Sequence, residues 1–205
     1  MHEEILTVEQ KKLLPLIREF KKNYYLVGGT AIALHLGHRH SIDFDLFTNQ
    51  TINKRKIREA FSKNKIVISK VLYEDSGQVH YMVNDVKITF FYYDFDIGHD
   101  VKFNEYITIP TLLDLAAMKA FALGGRGKWK DYVDLFFILK NFFSVTEISQ
   151  RAKQLFGDFF NPKLFKEQLP YFKDVSYAEP IEYLIEPASE IEIKKFLIKV
   201  ATEPF

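Results

Sequence analysis

Two carboxylates, Asp43 and Asp45, flank a phenylalanine in the run Ser41-Ile42-Asp43-Phe44-Asp45-Leu46-Phe47. On an extended strand, residues i and i+2 face the same way, so the two acids share one face and Ile42, Phe44 and Leu46 are expected on the other. Like charges this close resist ionisation unless a cation lies between them. A hard divalent ion such as Mg²⁺ meets that need, because it takes one or two carboxylates and completes its shell with substrate phosphates. Upstream, an apolar run over residues 24–27 ends at Gly28-Gly29, and good helix formers resume at Thr30. Glycine admits positive φ and lets backbone N–H groups approach a ligand, and a helix N-terminus attracts anions. Thr30 adds a hydroxyl. A phosphate site and a metal site on neighbouring elements are the parts of phosphoryl or nucleotidyl transfer. Either feature alone is more often an ordinary turn or a solvated strand edge; the order in which they occur is what carries weight. Arg39 brings forked donors suited to phosphate, and Ser41, leading into the strand, completes the expected nucleotide contacts.

A second group lies downstream. The spacing predicts a helix over 111–123, opened by Thr111-x-x-Asp114 as a capping-box-like start and stopped by Gly124-Gly125. Lys119 sits among Leu115, Ala116, Met118 and Phe121, where a cation needs a partner. On the next helix Asp131 and Asp134 are one turn apart, and Asp134 is embedded in Tyr132-Val133-Asp134-Leu135-Phe136-Phe137. A charge in such a run must be paired, and Lys119 and Lys130 are the cations at hand. A purely structural ion pair is one reading of this group.

The elements that must position these residues divide in two. Amphipathic spacing predicts a helix over 5–22, interrupted near Pro15, then strands over 24–27 and 41–47, a basic helix over 53–62, and β-rich runs over 65–73, 79–83 and 86–93. Asp75-Ser76-Gly77 and Asn84-Asp85 supply turn chemistry between those runs. Beyond Pro110 the pattern is helical over 111–123, 128–142, 145–156 and 189–200. An α/β core over 1–106 and a helical domain over 107–205 are therefore expected.

The chain has 205 residues, 47% of them hydrophobic, with 20 Phe, 11 Tyr and one Trp. That is ample for a core, and the net charge of +1 announces no global attraction to nucleic acid. A local basic stretch, Lys54-Arg55-Lys56 with Arg58, remains. The absence of cysteine excludes disulfides, thiolate metal sites and a cysteine nucleophile. His35, His38 and His40 lack a regular zinc-ligand spacing. The first residues lack a signal-peptide pattern, and no apolar run approaches the length of a membrane span, so a cytoplasmic protein without membrane association is expected.

Gly28-Gly29-Thr30-Ala31 followed by His38-Arg39-His40-Ser41-Ile42-Asp43-Phe44-Asp45-Leu46-Phe47 resembles the AbiEii/AbiGii group of the DNA polymerase β-like nucleotidyltransferase superfamily. Asp114-Leu115-x-x-Met118-Lys119 and Arg126-Gly127-Lys128-x-Lys130-Asp131-x-x-Asp134 are similar to its downstream motifs, so the resemblance spans residues 24–140. It implies an α+β fold, a mixed sheet flanked by helices and followed by an all-α C-terminal half. It further implies two Mg²⁺ ions, and transfer of a nucleoside monophosphate from an NTP to an acceptor hydroxyl on RNA or protein. A cognate antitoxin is the implied partner, since such proteins act as toxins of two-protein systems. By the same resemblance Lys119 contacts the nucleotide phosphates, and Asp131 and Asp134 serve activity.

One departure stands out. Many members of the superfamily carry a third carboxylate, a metal ligand and general base, on a later strand. In Val86-Lys87-Ile88-Thr89-Phe90, parity turns Lys87 and Thr89 toward the site, with Thr89 in the carboxylate's place. Asp94 has the opposite parity and Asp96 falls beyond the strand. Either Lys87, Asp131 or another group takes that role, or activity is low or lost. A nucleotide- or partner-binding module and a small-molecule nucleotidyltransferase, acting for example on an antibiotic hydroxyl, are the competing readings.

Overall fold

The computed structural model describes residues 1–123, 125 and 127–204, so Gly124 of the expected helix stop and Arg126 of the downstream motif lie outside the described residues. Two compact units are present, Met1–Thr111 and Leu112–Phe205.

The first unit is built on a five-stranded mixed sheet. Its strands are β1 (Tyr25–Val27), β2 (Phe44–Thr48), β3 (Lys70–Glu74), β4 (Gln78–Val83) and β5 (Val86–Tyr92), in the order β1-β2-β5-β4-β3. Only the β2/β5 pair is parallel; the other neighbours are antiparallel. Period-2 patterning sets the faces. Phe44, Leu46 and Thr48 are buried while Asp45 and Phe47 between them are half-buried, and Val79, Tyr81 and Val83 alternate in the same way on β4. Asn84 and Asp85, at φ 48° and 62°, close a two-residue turn that fixes the β4/β5 register at Val83 with Val86.

Helices α1 (Val8–Glu19), α2 (Gly28–Leu36) and α3 (Lys54–Lys63) complete the core of this unit. A capping box from Thr7 and Gln10 starts α1, and the helix continues through Pro15 to Glu19. Phe20 and Tyr24 meet Phe90 edge-on, Phe20 lies against Phe61, and Phe61 against Tyr81, which accounts for part of the aromatic excess. A two-stranded ribbon, β6 (Val101–Phe103) and β7 (Ile107–Ile109), was not anticipated, because three-residue strands are too short to show a period. Because β7 belongs to this ribbon, the units divide between residues 111 and 112 rather than after 106.

The second unit is helical: α4 (Leu112–Leu123), α5 (Trp129–Asn141), α6 (Val145–Phe156), α7 (Pro162–Gln168) and α8 (Glu190–Thr202). Ser144 and Glu147 form a capping box at the start of α6, and Asn161 caps α7 with Pro162 in its first turn. The seven residues of α7 were too few to be legible as a helix. No helix among the described residues is long and apolar enough to cross a membrane.

Candidate active site

The site in the first unit begins where β1 turns into α2 without an intervening loop. Gly28 has φ +72°, a backbone that L-residues rarely adopt, and a Cβ there would run into the carboxylate of Asp45. The antiparallel register explains the approach, since Val27, the residue before the turn, is the Cα partner of Asp45. Gly29 is crowded differently: a Cβ would lie 2.8 Å from an Arg39 Nη and 3.1 Å from Ser41 Oγ. The two glycines are thus the floor over which Asp45, Arg39 and Ser41 close.

Asp43 immediately precedes β2. Its Oδ2 accepts a hydrogen bond from Lys87 Nζ at 2.7 Å, because Lys87 precedes Ile88, the parallel partner of Phe44. The loop that carries Asp43 is fastened from below. Gln10 Nε2 donates to the Ser41 carbonyl at 2.8 Å, and the Thr30 hydroxyl, 3.0 Å from Ser41 Oγ, also donates to the Asp43 carbonyl. Gln10, Thr30 and Ser41 are all buried. The Thr30 hydroxyl, anticipated as a phosphate contact, is therefore directed at the backbone and positions Asp43. Arg39 is buried as well, with Nη1 donating to the His40 carbonyl at 2.9 Å. Ile42, expected on the core face, is exposed: the pleat starts at Phe44, so alternation does not reach it. His40 Nδ1 and His35 Nε2 engage the separate carbonyls of Ile5 and Pro110, at 2.8 and 3.0 Å.

On β5, Thr89 is the Cα partner of Asp45, so Lys87 and Thr89 project on the face of the aspartates, as parity required. The donor set of this cluster is two carboxylates facing a glycine turn, and no group of three or more His, Cys, Asp or Glu capable of holding a metal occurs among the described residues. Two hard oxygen donors match a Mg²⁺ that shares its shell with substrate phosphates, and do not match a closed protein cage.

The second unit gathers the other predicted residues. Lys119 Nζ on α4 lies 2.6 Å from Asp131 Oδ1 and 2.9 Å from Asp134 Oδ2 on α5. All three are buried, Asp134 completely. Lys119, not Lys130, is the cation of this cluster, whereas Lys130 pairs with Glu179. Burial alone would raise the Glu179 carboxyl, but hydrogen bonds from Lys128 and Lys130 bring it down to about 2. Asp114, the helix-start acid, pairs with Arg151 at 2.5 Å.

Two residues near the aspartates gave no sequence signal. Gln10 reaches Ser41 from a helix distant in the chain, and only tertiary packing could reveal it. His80 on β4 is the Cα partner of Thr89 and so lies in the same row as Asp45. Alternation placed it on the polar face of its strand, but only strand order placed that strand beside β5.

Comparison with known proteins gives three findings. The family model described as Nucleotidyl transferase AbiEii toxin, Type IV TA system, matches residues 16–204, extending the resemblance through the helical tail. An uncharacterized protein of Aquifex aeolicus is 30% identical over 188 residues, covering 88% of this chain and 87% of that protein. Among solved structures, the nucleotidyltransferase toxin MenT4 of Mycobacterium tuberculosis aligns with a TM-score of 0.63 at 13% identity, over 95% of this chain and 81% of its own. JHP933 of Helicobacter pylori aligns at 0.56 and 17% identity, over 94% and 87%. The structural likenesses establish the fold.

Proposed function

The chain belongs to the AbiEii family of nucleotidyl transferase toxins, and from that premise we propose that it moves a nucleoside monophosphate from an NTP to an acceptor hydroxyl on RNA or protein. The observation that carries this reading is the closure of Asp45 over the left-handed Gly28 at the start of α2, with Asp43 immediately before the same strand and bonded to Lys87. Backbone N–H groups of the turn receive the phosphates, favoured by the helix dipole. Arg39 and Lys87 add positive charge on the two flanks, and Gln10 and Thr30 hold the Asp43 loop. Asp43 and Asp45 would hold Mg²⁺, which supplies charge neutralisation and orientation of the triphosphate. By family resemblance Lys119, Asp131 and Asp134 also serve activity, the lysine held by the two aspartates at 2.6 and 2.9 Å. The protein would act in the cytoplasm, where NTP and Mg²⁺ are plentiful, held in check by a cognate antitoxin.

The basic stretch at the start of α3 supports an RNA acceptor only weakly. Lys54 and Arg58 are paired with Glu74, and Arg55 with Glu59.

The test incubates the full chain with each of four α-phosphate-labelled NTPs, total bacterial RNA and Mg²⁺, scoring label on RNA and on the protein separately. Label is expected with Mg²⁺ and not with EDTA, and Asp43→Asn should abolish it. Failure of all four NTPs to label either acceptor removes the reading.

A further inference from the structure

The sheet register sets a third side chain in line with the catalytic face. Asp45 on β2 is paired with Thr89 on β5, and Thr89 with His80 on β4. Directly paired residues project on one face of a sheet, so carboxylate, hydroxyl and imidazole form a row. Adjacent strands lie about 4.8 Å apart, which separates the Asp45 and His80 backbones by roughly 10 Å. The residue between them, Thr89, is buried and brings a hydroxyl where a carboxylate would carry charge.

The chemistry of His80 is that of a neutral base. Its Nε2 lies 3.0 Å from Gln78 Oε1; in the tautomer that donates from Nε2 to that amide oxygen, the neutral ring keeps its lone pair on Nδ1. The Tyr73 ring from β3 packs edge-on at 5.7 Å between centroids and fixes the plane of the imidazole. Burial first, and then the ammonium of Lys87, hold its pKa below the ordinary 6.5, against the opposing pull of Asp45 and Asp75. The groups that face it are Lys87 and Thr89 from β5, Asp45 from β2, Tyr73 from β3, Asp75 in the β3/β4 turn and Gln78 on its own strand. The carboxylates on this face, Asp43 and Asp45, are committed to the metal in the reading above, which leaves the other side chains of the row. Lys87 is donating to Asp43, and a threonine hydroxyl does not ionise near neutral pH.

We propose that His80 is the general base of nucleotidyl transfer, occupying functionally the place that Thr89 leaves without a carboxylate. This rests on the reading of Asp43 and Asp45 given above. The acceptor O–H bond breaks and its proton passes to His80 Nδ1. The acceptor oxygen forms a bond to the α-phosphorus as the bond from that phosphorus to the bridging oxygen breaks. Pyrophosphate leaves with the electron pair, and the imidazolium returns its proton to solvent.

The experiment uses the full chain with Mg²⁺, α-phosphate-labelled NTPs and total bacterial RNA. For the wild type, kcat/KM is expected to fall on the acid side with a midpoint below 6.5. His80→Gln should transfer about 10²- to 10⁴-fold more slowly, the usual worth of a general base, and lose that acid limb. Its MgNTP affinity by equilibrium dialysis should be unchanged. Adding Thr89→Asp to His80→Gln should recover part of the rate by returning a carboxylate opposite Asp45. An active wild type whose His80→Gln variant keeps both rate and acid limb overturns the proposal and leaves the transferase reading standing. A wild type that labels nothing removes the transferase reading, and the proposal with it. Should His80→Gln melt below the wild type, imidazole nitrogen NMR of the unaltered chain decides: His80 protonated at pH 7, or with its proton on Nδ1, overturns the proposal.

Discussion

The two units each gather one lysine and two aspartates, and they put the same charges to opposite uses. In the first, Asp43 and Lys87 keep 21% and 29% of their side chains exposed, and the aspartates stand two apart where the chain enters β2, Asp45 against the glycine turn. In the second, Lys119, Asp131 and Asp134 are at most 5% exposed, and the aspartates stand one helical turn apart. Partial exposure leaves carboxylates able to exchange an internal lysine for a ligand. Complete burial makes each charge depend on its partners, because an unpaired ion in a core is far more costly than a solvated one. The first cluster is open to solvent and the second is sealed from it.

The sharpest way to break this comparison is to remove the lysine from the buried cluster. Lys119→Met should destabilise by about 3–5 kcal/mol, the cost of breaking a buried ion pair by deleting one partner. For a chain of this size that corresponds to a melting temperature lower by about 6–20 °C. A Lys119→Met protein that melts with the wild type would overturn the assignment of this cluster to the fold, whatever its transfer activity.

Asp43→Asn is the counterpart in the open cluster. Transfer should drop at least about 100-fold, beyond the loss expected for an outer-shell partner of a metal. Its chemical denaturation midpoint should move much less than that of Lys119→Met, since this pair is part-exposed and screened by solvent.

Gly28→Ala falls between the two kinds of effect. The left-handed backbone costs an L-residue about 1–2 kcal/mol, and the added methyl displaces the Asp45 carboxylate. Stability and MgNTP affinity should therefore decline together, measurable by thermal melting and equilibrium dialysis. Unchanged affinity would detach Asp45 from nucleotide binding.

The smallest expected effect probes a solvent-accessible ion pair of the second unit. The Glu179 carboxyl, lowered to about 2 from 4.5, stabilises the fold fully above pH 4.5 and loses that contribution as pH falls toward 2. Because its lysine partners leave it 41% exposed, the worth is about 0–1 kcal/mol. The difference in urea midpoint between wild type and Glu179→Gln should thus be present at pH 7 and shrink at pH 3. A difference that grows in acid would contradict the sign.

Local pattern alone determined much of this protein. Alternation identified the buried face of β2 at Phe44 and Leu46, turn chemistry identified Asn84-Asp85, and helical patterning identified α6, because each depends on residues only a few positions apart. The Gly28-Gly29 turn and the aspartate strand were legible together for the same reason, as was membership of the family. Tertiary structure decided what no neighbouring residue can: that Thr30 turns its hydroxyl to the Asp43 backbone, that Gln10 braces that loop, and that Lys119 rather than Lys130 answers Asp134. It also decided that β4 lies beside β5, which is what brings His80 into the row of Asp45. Hydrogen bonds and ion pairs act over a few ångströms of space, and distance along the chain does not constrain which side chains will close that gap.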